Sequence, residues 1–132
     1  MAAKAKKWKL SDFRVNLKKD TPGTVIKKWV KALKSGYFKQ GQNILRTNGG
    51  GFCCLGVLNE ICGRSIVKHP TKQGFLERFG EEKCVVKDKV QESLADMNDG
   101  GDDFIEIANF IKKVGVKLLM PKETWPGVAK KP

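Results

Sequence analysis

Asp20-Thr21-Pro22-Gly23-Thr24-Val25-Ile26-Lys27-Lys28-Trp29-Val30-Lys31-Ala32-Leu33-Lys34-Ser35-Gly36 contains the start, both faces and the end of one helix. Asp20 or Thr21 can cap the first turn, Pro22 is pre-set for the first helical positions, and Gly36 can take the left-handed conformation that stops it. Between these signals Val25, Ile26, Trp29, Val30 and Leu33 recur at helical spacing on one face, with Lys27, Lys28, Lys31 and Lys34 on the other. The pattern predicts a helix over residues 22–35 that packs on a core and turns its lysines to solvent.

Those lysines belong to a larger concentration of charge. Residues 1–39 hold twelve Lys/Arg against only Asp12 and Asp20, so +10 of the formal +12 of the 132-residue chain lies there. A field gathered in one part of a small protein concentrates polyanions and speeds their capture, which makes phosphate-bearing partners the leading expectation. The length fits one domain, and a chain of this size hides roughly two thirds of its unfolded surface on folding. The apolar runs are too short for the ~20 residues that a membrane-spanning helix needs. Residues 1–9 are basic but lead into no apolar run, so export by a secretory leader is not expected.

Moving outward, residues 1–7 read as a disordered arm. Phe13, Val15 and Leu17 alternate with Arg14, Asn16 and Lys18 at the period of an edge strand. After the helix, Ile44-Leu45-Arg46-Thr47 is a short strand candidate and Asn48-Gly49-Gly50-Gly51 a turn. From Phe52 an apolar stretch enters a buried helix over residues 54–62, with Leu55, Leu58, Ile61 and Cys62 on one face and Gly63 as its stop. Ile66-Val67-Lys68 is expected to pair with the strand at Phe52, residues 71–79 to form a short helix, and Asp88 to cap a helix ending near Asn98. Asp103 and Glu106 have the spacing of a capping box for a helix burying Phe104, Ile107, Ala108 and Ile111, closed by Lys112, Lys113 and Gly115. Residues 116–120 suggest a last strand. The expected fold is thus α+β, a helix-dominated domain with a small antiparallel sheet. Residues 1–19 would form a basic arm and possible edge strand, residues 20–120 the globular domain, and residues 121–132 a Pro/Lys-rich tail.

The glycine-rich turn before the residue-54 helix is the best candidate site. Amides of such a turn and of a helix start can hold a phosphate or carboxylate, and Lys39, Gln40 and Arg46 lie close in sequence. A plain hairpin turn is the competing reading, because the spacing matches neither a phosphate-binding loop nor a dinucleotide fingerprint. Cys53, Cys54, Cys62 and Cys84 lack zinc-site spacing and read as buried thiols. Cys54 at a helix start could act as a nucleophile, but the single histidine, His69, is its only available histidine base. Asp96, Asn98 and Gly101 mimic a calcium loop, yet Ile107 falls where the bidentate Glu belongs.

Ala32-Leu33-Lys34-Ser35-Gly36-Tyr37-Phe38-Lys39-Gln40-Gly41, Leu45-Arg46, Phe52-Cys53-Cys54-Leu55-Gly56-Val57-Leu58, Met97-Asn98-Asp99-Gly100-Gly101 and Phe104-Ile105-Glu106-Ile107-Ala108 together resemble a group of small phage and prophage proteins of no assigned activity. The likeness covers about residues 31–111 and implies a viral protein working in the cytoplasm of an infected bacterium. The expectation is then a non-enzymatic protein that binds nucleic acid or a nucleotide signal of host defence. Its contacts would be Lys27, Lys28, Lys31, Lys34, Lys39, Gln40, Arg46, Gly50 and Gly51, with no cofactor, metal or membrane partner. The alternatives are a module that captures an acidic host protein and, last, a Cys-dependent enzyme.

Overall fold

Thr21, Pro22 and Gly36 act as read: α1 spans Pro22–Ser35, Thr21 Oγ1 accepts the Thr24 N–H at 3.2 Å, and Gly36 stops the helix at φ 81°. The structure, a computed structural model, describes residues 7–41, 51–63, 66–69, 76–79 and 85–125. The other described elements are β1 (Lys39–Gln40), β2 (Gly51–Phe52), α2 (Cys54–Ile61), β3 (Ile66–His69), β4 (Leu76–Phe79), α3 (Asp88–Asp99) and α4 (Phe104–Val114). Helices dominate, and α1 lies against α4, α2 and the 3-10 turn Gly115–Leu118.

The core sits on the apolar face of α1. Val25, Trp29, Ala32 and Leu33 are buried with Val57, Leu58 and Ile61 of α2 and Ile107, Ala108 and Ile111 of α4. Trp29 is fully buried, and its indole N–H donates to the Cys54 carbonyl at 2.9 Å, so the ring gains contacts without stranding its polar atom. The capping box of α4 forms in both directions: the Glu106 N–H donates to Asp103 Oδ1 at 2.8 Å, and the Asp103 N–H to Glu106 Oε1 at 3.2 Å.

The expected single antiparallel sheet is not what forms. β1 and β2 pair in parallel, with Lys39 opposite Gly51 and Gln40 opposite Phe52. Among the described residues the antiparallel ladder is a separate two-stranded unit, where β3 pairs β4 with Ile66 opposite Phe79 and His69 opposite Leu76. Strands of two residues carry no alternation from which direction could be read. What fixes them is packing: Phe38 and Phe52 meet edge to face at 5.3 Å, and the Gly41 N–H donates to the Phe52 carbonyl at 2.7 Å.

Three other expectations change. Leu76–Phe79 is strand rather than the end of a helix over residues 71–79, because its ladder with β3 outweighs a short apolar pattern. Residues 116–120 make a 3-10 turn and one antiparallel bridge, Val86 with Leu119, instead of a strand. At the N-terminal end Phe13 and Val15 alternate inward with exposed Arg14 and Asn16 as read, but no strand forms. A 3-10 turn, Leu10–Asp12, precedes them, and the Val15 N–H donates to the Ile61 carbonyl at 2.8 Å.

The core also continues past residue 120. After a 3-10 turn at Lys122–Thr124, Trp125 is fully buried, with its indole N–H on the Met120 carbonyl at 2.8 Å. The residue-44 strand, the turn through Gly50, Cys84, residues 1–6 and residues 126–132 lie outside the described residues.

Candidate anion-binding surface

Helical spacing puts Lys27, Lys31 and Lys34 on one exposed stripe of α1, opposite Val25, Trp29 and Leu33. Among the described residues none of the three has a carboxylate partner; the one ion pair on this helix is Lys28 with Asp20 at 2.8 Å. Lys28 is committed to the fold, since its ammonium also donates to the Arg14 carbonyl at 2.8 Å. Burial alone would raise the Asp20 carboxyl. The Lys28 hydrogen bond, the Asn16 N–H and the charges of Lys28 and Lys122 outweigh it and hold the group below the usual carboxylate range. The exposed Arg14 side chain reaches Gly63: a Cβ there, where φ is +69°, would come within 2.5 Å of its Nη1. That places the guanidinium at the C-terminal end of α2, which favours a cation.

Before α1 the chain is tightly tied. Asn16 Oδ1 accepts the N–H groups of Lys18 and Lys19, both at 3.0 Å, and the Asn16 N–H donates to Asp20 Oδ2 at 2.9 Å. Both lysine side chains are left exposed.

At the other end of α1 the lysine stripe meets aromatic rings. Lys31 Nζ lies 5.1 Å from the centre of the Trp8 ring, within cation–π range. Trp8 packs on Phe13 at 5.2 Å, and Phe13 on Tyr37 at 5.7 Å. Tyr37 rests edge-on against Phe38 at 4.9 Å while remaining 45% exposed. Trp8 and Tyr37 were not among the residues singled out from sequence. The available signal was an aromatic set among cations, in Lys7-Trp8-Lys9 and in Lys34 to Lys39 around Tyr37.

The second half of the expected site goes elsewhere. Gln40 spends its whole amide on the fold: Nε2 donates to Asn98 Oδ1 at 3.0 Å and to the Asp102 carbonyl at 2.8 Å, and Oε1 accepts the Phe104 N–H at 3.1 Å. Fully buried Asn98 donates to the Gly41 carbonyl at 2.7 Å and accepts the Cys54 N–H at 3.3 Å. Gln40 and Asn98 thereby satisfy the first amides of α4 and α2, and that of α2 belongs to the helix start expected to hold an anion. Gly51 is buried in β2, so it offers no open amide cradle. Lys39 is exposed on β1, while Arg46 and Gly50 lie outside the described residues. The structure therefore unites Lys27, Lys31 and Lys34 on one face and separates them in role from Lys28, Gln40 and Gly51. Nothing in the sequence marked Asn98 as the centre of a long-range network.

The thiols next to that network are not poised for nucleophilic attack. Burial pushes Cys53 up to about 11. Burial and then the neighbouring Cys53 push Cys54 higher still, and its Sγ donates to the Leu94 carbonyl at 3.7 Å. At neutral pH both stay protonated, and it is the thiolate that reacts. No group of three or more His, Cys, Asp or Glu among the described residues is arranged to hold a metal ion. No described helix is long and apolar enough to cross a membrane.

Residues 23–71 match the model of a family described as a domain of unknown function (DUF8296). The match begins in α1 and contains every residue named above as a candidate contact, together with Tyr37, but not Trp8. No curated protein and no solved structure matches the chain.

Proposed function

We propose that this chain is a small viral protein that binds a phosphate-rich ligand on the exposed face of α1, in the cytoplasm of an infected bacterium and without catalysis. The ligand is nucleic acid or a nucleotide signal used in host defence, and binding would sequester or redirect it. One observation carries the reading: Lys27, Lys31 and Lys34 form an exposed stripe with no carboxylate partner among the described residues, while the ion-pairing need of the fold on this helix is met by Lys28. The charge is also polarised. Residues 88–106 hold Asp88, Glu92, Asp96, Asp99, Asp102, Asp103 and Glu106 against Lys89 alone, so a polyanion is drawn toward α1 and away from α3 and the start of α4. The viral setting rests on the ordered segments quoted above.

The test is a titration of labelled DNA and of cyclic nucleotides, repeated from about 50 to 200 mM salt. Affinity for DNA should fall steeply with salt, and replacing Lys27, Lys31 and Lys34 by Ala should flatten the log–log slope by about one unit per lysine. A shallow slope with tight binding would identify a compact nucleotide as the ligand. Absence of binding at low salt, or equal binding by the triple variant, would end the proposal.

A further inference from the structure

A polyanion site needs only cations, yet the lysine stripe runs into an exposed aromatic ring held in a fixed position. Tyr37 is tied at its backbone: its N–H donates to Ser35 Oγ at 3.0 Å, and that hydroxyl donates to the Ala32 carbonyl at 2.7 Å. Its ring is braced by Phe38 at 4.9 Å and Phe13 at 5.7 Å, both buried, but is itself 45% exposed. An aromatic side chain braced by buried rings and still half exposed loses little freedom when a flat ligand stacks on it.

Cations flank it. Lys34 stands in the last turn of α1 and Lys39 on β1, both exposed. Lys31 is steadied by its position over Trp8, which is joined to Tyr37 through Phe13. Asp12, four residues from Trp8, is engaged locally, its Oδ2 accepting the Lys9 N–H at 2.8 Å, and Asp20 is paired with Lys28.

Resting on the phosphate-binding reading above, we infer that the ligand is single-stranded nucleic acid, with a base stacked on Tyr37 and the adjoining phosphates on Lys31 and Lys34. A duplex keeps its bases stacked on one another and offers Tyr37 nothing but backbone, whereas an unpaired strand presents a π-face beside each phosphate. Stacking of this kind is indifferent to base identity, so the site would show little sequence preference.

The experiment compares the full chain with Tyr37→Ala, Tyr37→Leu and Tyr37→Phe, using a labelled oligodeoxythymidine of about 16 residues and a duplex of equal length. Tyr37→Leu keeps an apolar body against Phe13 and Phe38 without an aromatic face, so its loss of binding cannot be blamed on unfolding once its thermal transition matches the parent. Tyr37→Ala and Tyr37→Leu should weaken single-strand binding on the order of tenfold or more and leave the salt slope unchanged, because no charge is removed. Tyr37→Phe should bind like the parent, and duplex binding should be indifferent to all three. If Tyr37→Leu binds the single strand as the parent does, or weakens both forms equally, the stacking site is refuted while the phosphate reading stands. Competition by polyglutamate as effective as by the oligonucleotide also refutes it, in favour of an acidic protein. No binding of either nucleic acid by the parent refutes the stacking site and restricts the phosphate reading to a nucleotide, which the cyclic-nucleotide titration above tests.

Discussion

The exposed stripe of α1 and the buried knot around Asn98 are both polar, and the fold uses them in opposite ways. In the knot each polar atom of Gln40 has a partner, and two helix starts depend on Gln40 and Asn98. On the stripe Lys27 and Lys34 are exposed and make no ion pair with a described residue. A polar residue near a glycine-rich turn is therefore ambiguous from sequence: its hydrogen-bonding capacity can serve a ligand or the chain itself, and only burial separates the two. The difference predicts that mutations in the knot change stability without changing binding at the stripe, and that mutations on the stripe do the reverse.

The largest effect is expected at Asn98. Asn98→Leu removes an acceptor from the Cys54 N–H and a donor from the Gly41 carbonyl in a site closed to water, and should lower the unfolding free energy by about 3 kcal/mol in urea titrations. Gln40→Ala should cost about 2 kcal/mol in the same assay, since it frees the Phe104 N–H and the Asp102 carbonyl at the partly buried start of α4. Its affinity for DNA should equal that of the parent chain. A binding defect in Gln40→Ala that exceeds its stability loss would return this residue to the ligand site.

Asp20 and Lys28 give a smaller effect with a pH signature. Asp20→Asn should cost about 0.5 to 1 kcal/mol near neutral pH, as expected of a partly exposed ion pair. The folded-state pKa of Asp20 is lowered, so its contribution is complete above the ordinary carboxylate value of about 3.9 and is lost as pH falls through the folded value. Thermal melts of parent and Asp20→Asn should therefore converge below that range; a gap that persists in acid would contradict the assignment. The smallest stability effect belongs to Lys27→Ala with Lys34→Ala, within about 0.5 kcal/mol, combined with the loss of salt-dependent binding.

Much of the helical framework was legible, because α1 and α4 carry their caps and stops in the chain: Thr21 and Gly36 for one, Asp103 with Glu106 and Gly115 for the other. Those signals act over three or four residues, and so does the reading. α3 was nearly right, but Lys87 rather than Asp88 takes the cap position. Strand direction was not legible, since β1 and β2 are two residues each and are set by ring packing between Phe38 and Phe52. Within the site, exposure of Lys27, Lys31 and Lys34 followed from the apolar stripe opposite them. The engagement of Lys28 did not, because Asp20 and the Arg14 carbonyl approach it through a loop whose path no periodicity records. Gln40 and Asn98 are 58 residues apart, beyond the range of any local pattern.

The burial of Trp125 bears on where this protein can be cut. Met120 followed by Pro121 looks like the edge of a domain, and a protease site placed there would seem harmless. Cleavage at that point would instead detach a whole indole from the interior, together with the lysine whose charge reaches Asp20 ahead of α1. Trp125 shares one core with Phe13 and Trp29, so a nick near residue 121 should loosen the packing beneath α1 itself.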